Sequence, residues 1–269
     1  MGQADQTGRR AGCQLGDAAI ALGVTALAFI FLVLSAIASQ DADGSAASTE
    51  GTLVAAFITK SEIVLCSDGR VVNSSDGAVV RDDWSKVHRL SDRIGVLTAG
   101  RDLPGLMSRV QSRLARQPAA SMSDTVATLR QALVEEWASV TTASRSATKG
   151  RTFVFLAGFD ETGAPRLFHL DSLTQPEFRI AEMPLFVTVR DLEIGAIATG
   201  TQTEDPSAAI VRHLDGLQHR QPTIGLHRLL LGAFNATKAQ LAASNSRIGG
   251  LTYAASIDRT NGFRDVTAW

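Results

Sequence analysis

Three side chains early in this sequence could combine into a reactive site: the hydroxyl of Thr52, the carboxylate of Asp68 and the amine of Lys86. A hydroxyl is a poor nucleophile unless a neighbouring base takes its proton.

The elements that must position these groups are short. Leu53 to Ile58 is apolar and rich in strand formers, so the spacing predicts a strand starting at Thr52. The turn Thr59-Lys60-Ser61-Glu62 follows, and Ile63 to Ser67 predicts a partner strand ending on Asp68-Gly69. Lys86 comes after a loop. A strand-initial threonine, a strand-terminal aspartate and a lysine would meet at one end of a sheet. Each has a plainer reading: Thr52 as an ordinary strand residue, Asp68 as a turn former, Lys86 as a solvated charge.

The bulk composition limits the alternatives. The chain has 269 residues, 45% hydrophobic and 20% charged, the balance of a folded globule. A formal net charge of -1 gives no footprint for a nucleic-acid partner. The two cysteines, Cys13 and Cys66, are poorly placed for a disulfide framework, and the five histidines are scattered without metal-like spacing. No metal or organic cofactor is implied.

The N-terminus has its own character. Arg9 and Arg10 precede an uncharged run from Ala18 to Ala38, AAIALGVTALAFIFLVLSAIA. Its length, basic flank and small-x-small end read as a signal peptide or a retained transmembrane anchor over residues 1–38. That makes the protein membrane-anchored or exported, or cytoplasmic if the start codon is mis-assigned. Residues 39–51 are small, polar and acidic, a linker or pro-segment. The folded domain is expected over residues 52–269.

Further along, Arg93 to Thr98 predicts a third strand. Leu103, Leu106, Val110 and Leu114 have helical spacing, with Asp102 available as a cap. A second helix is expected from Ser123-Asp124. Thr152–Phe159 and Pro165–Asp171 predict a hairpin, followed by a short strand at Phe178–Ile180 and another at Leu192–Ala198. Helices are expected from Pro206 and from Thr223, then strands at Ile248–Ile257 and Phe263–Val266. Helices arrive in consecutive pairs, which excludes the alternation of a parallel sheet. The order fits an α+β fold: a four-layer αββα sandwich of two largely antiparallel sheets flanked by helix pairs.

This order and several short stretches resemble the N-terminal nucleophile hydrolases, in particular proteasome β-type subunits, the HslV peptidase and Anbu-type homologues. Gly51-Thr52 resembles the processing junction of an active β-type subunit. Leu65-Cys66-Ser67-Asp68-Gly69-Arg70 resembles the family's AADSR or AGDGQ strand end, and Ser85-Lys86-Val87 its KV segment. Ala99-Gly100 resembles the turn before its first helix, Val154–Asp171 its central hairpin, and Ala196–Gly200 its AIGSG run. The resemblance implies a threonine-type amide hydrolase autoprocessed at Gly51-Thr52. It assigns Thr52 as nucleophile, Asp68 and Lys86 as its catalytic partners, and the Gly100 N–H as oxyanion donor. The cut it implies after Gly51 would give Thr52 a free α-amine as base, with a reference pKa of about 7.7–8.0 and so a useful neutral fraction near pH 7. The resemblance also implies a peptide or protein substrate and a homo-oligomeric ring. Thr199, Asn245 and Ser246 are expected to support the site. Two positions depart from the active pattern: Asn245 stands where an aspartate is expected and Ile248 where a serine is expected. These departures favour a non-catalytic assembly subunit as one alternative; an amidase for a small envelope molecule is another.

Overall fold

The computed structural model describes residues 52–73, 77–100, 103, 105–117, 121–139, 152–171, 180–182, 188–189, 192–199, 204–221 and 223–266. Residues 1–51, which hold the expected leader, linker and processing residue Gly51, lie outside that description, as do Asp102 and Gly200.

The chain opens with two strands, β1 (Thr52–Ile58) and β2 (Glu62–Asp68). They are joined by a turn in which the Thr59 hydroxyl oxygen accepts from the Glu62 N–H at 2.9 Å. A small hairpin follows, β3 (Val71–Val72) and β4 (Val79–Arg81), then β5 (Val87–Arg89) and β6 (Ile94–Gly100). The first helix pair is α1 (Leu106–Leu114) and α2 (Met122–Ser139). Strands β7 (Thr152–Phe159), β8 (Pro165–Asp171), β9 (Ile180–Glu182), β10 (Thr188–Val189) and β11 (Leu192–Thr199) come next. The second pair is α3 (Pro206–Arg220) and α4 (Leu226–Ser244), and β12 (Thr252–Asp258) and β13 (Gly262–Asp265) end the described chain.

These strands form a six-stranded sheet in the order β10-β11-β1-β2-β12-β13 and a five-stranded sheet in the order β5-β6-β7-β8-β9. All pairings within both are antiparallel. Three apolar layers separate four layers of structure. Val54, Ala56 and Leu65 meet Leu97, Phe155 and Ala157 between the sheets. Leu53, Phe57 and Cys66 meet Leu230 and Phe234 under α3 and α4. Val96, Val154 and Leu156 meet Val110, Leu129 and Leu133 under α1 and α2. The protein is an α+β four-layer sandwich. The central strands β1 and β2 are covered on both faces, so they read as continuous apolar runs rather than alternating ones.

Several boundaries differ from the sequence reading for local reasons. Helix α2 starts before Ser123, because Ser121 and Asp124 form a reciprocal cap: Asp124 N–H donates to Ser121 Oγ at 3.0 Å and Ser121 N–H to Asp124 Oδ2 at 3.1 Å. Helix α1 starts at Leu106 behind Gly105 rather than at Leu103. The expected strand from Ile248 begins only at Thr252, because Ser246 to Gly250 are used in a turn. The β3–β4 hairpin was not expected: its strands are two and three residues long and carry no alternation. Among the described residues no helix is long and apolar enough to cross a membrane.

Candidate active site

The site forms where the two sheets meet at one end. Thr52 is the first residue of β1 and sits opposite Thr199 of β11 in register. Its side chain shares the inter-sheet face with Val54 and Ala56, because side chains alternate along a strand. Asp68 is the last residue of β2, opposite Thr252 of β12. The β1–β2 ladder reaches only as far as Val54 and Ser67. Beyond it, the Leu53 N–H donates to Asp68 Oδ1 at 3.2 Å, so the carboxylate supplies the next ladder acceptor. The Gly249 N–H donates to Asp68 Oδ2 at 3.0 Å.

Lys86 comes from the other sheet. Its carbonyl accepts from the Thr98 N–H of β6 at 3.1 Å, which fixes its backbone just ahead of β5. Its side chain crosses to the six-stranded sheet. The Nζ lies 2.6 Å from Asp68 Oδ1, 2.8 Å from the Arg70 carbonyl and 3.3 Å from Thr52 Oγ1. An ammonium has three protons, and here there are three acceptors. Thr52, Asp68 and Lys86 are 4%, 0% and 6% exposed, so these contacts are made away from bulk water.

Burial sets the protonation chemistry. It pushes the Asp68 carboxyl up from its ordinary value, against the opposing pull of the Lys86 charge and hydrogen bond. It pushes the Lys86 amine down, against the pull of Asp68. A lysine with a lowered pKa reaches its neutral form more readily. In that form two N–H bonds still serve Asp68 and the Arg70 carbonyl, and the lone pair faces the Thr52 hydroxyl. The arrangement can therefore take a proton from Thr52 Oγ1 and hold it.

A glycine-rich clasp supports Asp68. The Gly249 carbonyl accepts from the N–H groups of Gly69 and Arg70, both at 3.1 Å, so one residue grips the end of β2 through both its donor and its acceptor. The Arg70 guanidinium reaches Asp82 with Nε at 2.6 Å and Nη2 at 3.1 Å, and the Ser246 carbonyl with Nη1 at 2.7 Å. The Leu251 N–H donates to the Asp82 carbonyl at 2.8 Å. Gly250 has φ +72°, and a Cβ there would stand 2.5 Å from that same carbonyl oxygen, so only glycine fits.

The remaining sequence candidates are placed as follows. Gly100 ends β6 with φ +81°, two residues beyond Thr98 and thus at the Lys86 end of its sheet. Thr199 is across from Thr52, with its side chain outside the description. Asn245 follows the last turn of α4: its N–H donates to the Leu241 carbonyl at 2.8 Å, and its Oδ1 accepts from the Arg247 N–H at 3.1 Å. Ser246 is exposed and gives its carbonyl, not its hydroxyl, to Arg70. Ile248 is 0% exposed and packs with Leu53, Leu241 and Ala254 on the helix side of the six-stranded sheet. Cys66 is buried and free, and burial pushes its thiol pKa up, which keeps it an unreactive core residue.

Sequence reasoning missed the contributions of Arg70, Asp82 and Gly249. Arg70 lies inside a stretch already singled out, and the Gly249-Gly250 pair was a visible turn signal. Among the described residues no three His, Cys, Asp or Glu side chains converge as a metal site. Residues 48–175 match the family model of the proteasome subunit. No curated protein matches the chain.

Proposed function

We propose, from the premise that this chain belongs through residues 48–175 to the proteasome subunit family, that it is a threonine-type amide hydrolase activated by cleavage at Gly51-Thr52. The observation that carries the reading is Lys86 Nζ, held 2.6 Å from Asp68 Oδ1 and 3.3 Å from Thr52 Oγ1 in a nearly dry site.

In the precursor, Thr52 has no α-amine, and Lys86 is the amine beside its hydroxyl. Neutral Lys86 accepts the Thr52 Oγ1 proton as the oxygen attacks the Gly51 carbonyl carbon. The C–N bond breaks, the proton passes to the leaving Thr52 nitrogen, and an ester joins Gly51 to Thr52 Oγ1. Water then hydrolyses that ester and leaves a free N-terminal Thr52. In the mature form the new α-amine serves as base towards external amides, and charged Lys86 stabilises the developing alkoxide. Asp68 orients Lys86 in both stages. The Gly100 N–H, at the same end of the sheet, is assigned to the developing oxyanion. The substrate class is peptide or protein.

Subunits of this family typically assemble into rings, and we extend that to this chain as a homo-oligomer. The apolar run over residues 18–38 makes the precursor exported or membrane-anchored, so processing would also release the domain.

Intact-mass analysis of purified wild type and Thr52→Ala tests the central claim. Wild type should begin at Thr52 and hydrolyse a fluorogenic peptide, and Thr52→Ala should do neither. A mature N-terminus elsewhere sinks the reading. A second reading, a non-catalytic assembly subunit, has one observation in its favour: Ile248 fills the helix-side core where a hydroxyl was expected. Full-length wild type that assembles without processing would establish it.

A further inference from the structure

We propose that Lys238 is a positioning residue for the Thr52–Asp68–Lys86 site, acting through the Gly249-Gly250 turn; the proposal rests on the hydrolase reading above. Lys238 lies on α4 and is half-buried, although a lysine side chain ordinarily carries its charge out to water. Its Nζ donates to the Gly250 carbonyl at 2.8 Å and to Thr252 Oγ1 at 2.6 Å. The Thr252 hydroxyl donates onward to Asn235 Oδ1 at 2.5 Å, one helical turn before Lys238. Helix α4 thus grips both sides of the step from the glycine turn into β12.

The turn it grips is the one that holds Asp68. The Gly249 N–H is on Asp68 Oδ2, and the Gly249 carbonyl holds the Gly69 and Arg70 N–H groups. Two adjacent glycines have more backbone freedom than any other pair, so such a turn does not fix its own geometry. An ammonium bonded to the Gly250 carbonyl removes that freedom from outside. The connection then runs from Lys238 through Gly250 and Gly249 to Asp68, and from Asp68 to Lys86 and Thr52. Neither Asn245 nor Ile248 is a link in it.

Charge adds to the geometry. Asp68, Arg70 and Asp82 are the charged groups that act on Lys238. Burial lowers its pKa, while the two carboxylates work against that and favour the ammonium. An ammonium on this side of Asp68 favours the ionised carboxylate. It also disfavours a second positive charge at Lys86.

The test compares Lys238→Met, which keeps the side chain's bulk, with Lys238→Arg, which keeps charge and donors, in the full-length chain. Urea unfolding controls for loss of fold. Misplacement of a catalytic group by about 1 Å costs up to about 100-fold in rate. Lys238→Met should therefore slow processing or kcat about tenfold or more with KM little changed. It should also move the basic limb of the pH–rate profile to higher pH and speed hydrogen exchange at the Gly249 amide. Lys238→Arg should restore most of the rate and the position of the limb. An active wild type whose rate, pH limb and Gly249 exchange are unchanged in Lys238→Met overturns the proposal alone. A wild type that neither processes nor hydrolyses overturns the hydrolase reading and the catalytic half of this one. Gly249 exchange then judges the clamp by itself, and unaltered exchange removes it too.

Discussion

Asp68→Ala is the perturbation whose outcome follows most directly from the geometry. The carboxylate is fully buried and accepts from Lys86 Nζ, the Leu53 N–H and the Gly249 N–H. Its removal leaves Lys86, 6% exposed, as a buried charge without a counter-ion. Breaking a buried pair from one side costs about 3–5 kcal/mol. The two orphaned N–H groups add to this, and water entering the vacated volume offsets part of it. About 4 kcal/mol is expected, a large share of the roughly 5–15 kcal/mol that holds a domain folded. Lys86→Met should cost less, about 2–3 kcal/mol, because Asp68 keeps two backbone donors and burial already raises its pKa towards the neutral acid. The double variant removes both charges and should cost no more than Asp68→Ala alone, a coupling of at least about 2 kcal/mol. All four forms should be compared by urea unfolding in a Thr52→Ala background, so that each keeps the same N-terminal segment. The midpoint should move at unchanged m-value. The pH dependence has a definite sign. In Asp68→Ala the folded-state pKa of Lys86 lies below its unfolded value of about 10.5. A lowered lysine pKa contributes stability that is full above the unfolded value and lost as pH falls through the folded one. The deficit of Asp68→Ala should therefore shrink as pH rises towards 10. Additive single costs below about 1 kcal/mol, with no pH dependence, would refute the buried-pair argument.

Lys86→Arg keeps a positive charge but cannot become neutral, so precursor processing should stop, read by intact mass; in wild type the processing rate should rise with pH along a limb centred below 10.5. Gly250→Ala places a Cβ 2.5 Å from the Asp82 carbonyl at φ +72° and should cost about 2–3 kcal/mol in urea unfolding, whereas Gly225→Ala, with nothing within 4 Å, should stay within about 1 kcal/mol. Ile248→Ser, which restores the residue type of the active family pattern, should destabilise by about 3 kcal/mol through cavity formation and a buried hydroxyl. It should leave peptide hydrolysis no faster.

The fold was legible where burial is uniform or periodic. Leu53–Ile58 of β1 and Ile63–Cys66 of β2 are unbroken apolar runs because both faces are covered, and the helices of each pair announce one apolar side. The β3–β4 hairpin was not legible, since Val79 and Val80 are both exposed and neither pattern nor burial marks them. Thr52 and Lys86 are 34 residues apart; Thr52 opens a strand of one sheet and Lys86 directly precedes a strand of the other. No local period relates them; the order of strands and loop suggested that they could meet, and the resemblance to a known family gave them roles. Lys238 was illegible for the opposite reason. A lysine in an amphipathic helix reads as a solvated face, and its partners, Gly250 and Thr252, lie in the next element.

The departures at Asn245 and Ile248 have a different weight in the structure than in the sequence. An aspartate replaced by an amide and a serine replaced by a hydrocarbon look like two lost polar groups. Asp68, however, is held by two main-chain N–H groups and one ammonium, and none of these comes from the side chain of residue 245 or 248. Backbone donors survive side-chain substitution so long as the backbone keeps its path. That path is secured by the Arg70 contact to the Ser246 carbonyl, the Asp82 carbonyl on Leu251 and the Lys238 ammonium on Gly250. Ile248 contributes as well, since its burial beside Leu241 and Ala254 anchors the turn to the helix-side core. In the site as folded here, the late segment acts through the course of its main chain, and an apolar residue at 248 serves that purpose better than a hydroxyl buried without a partner.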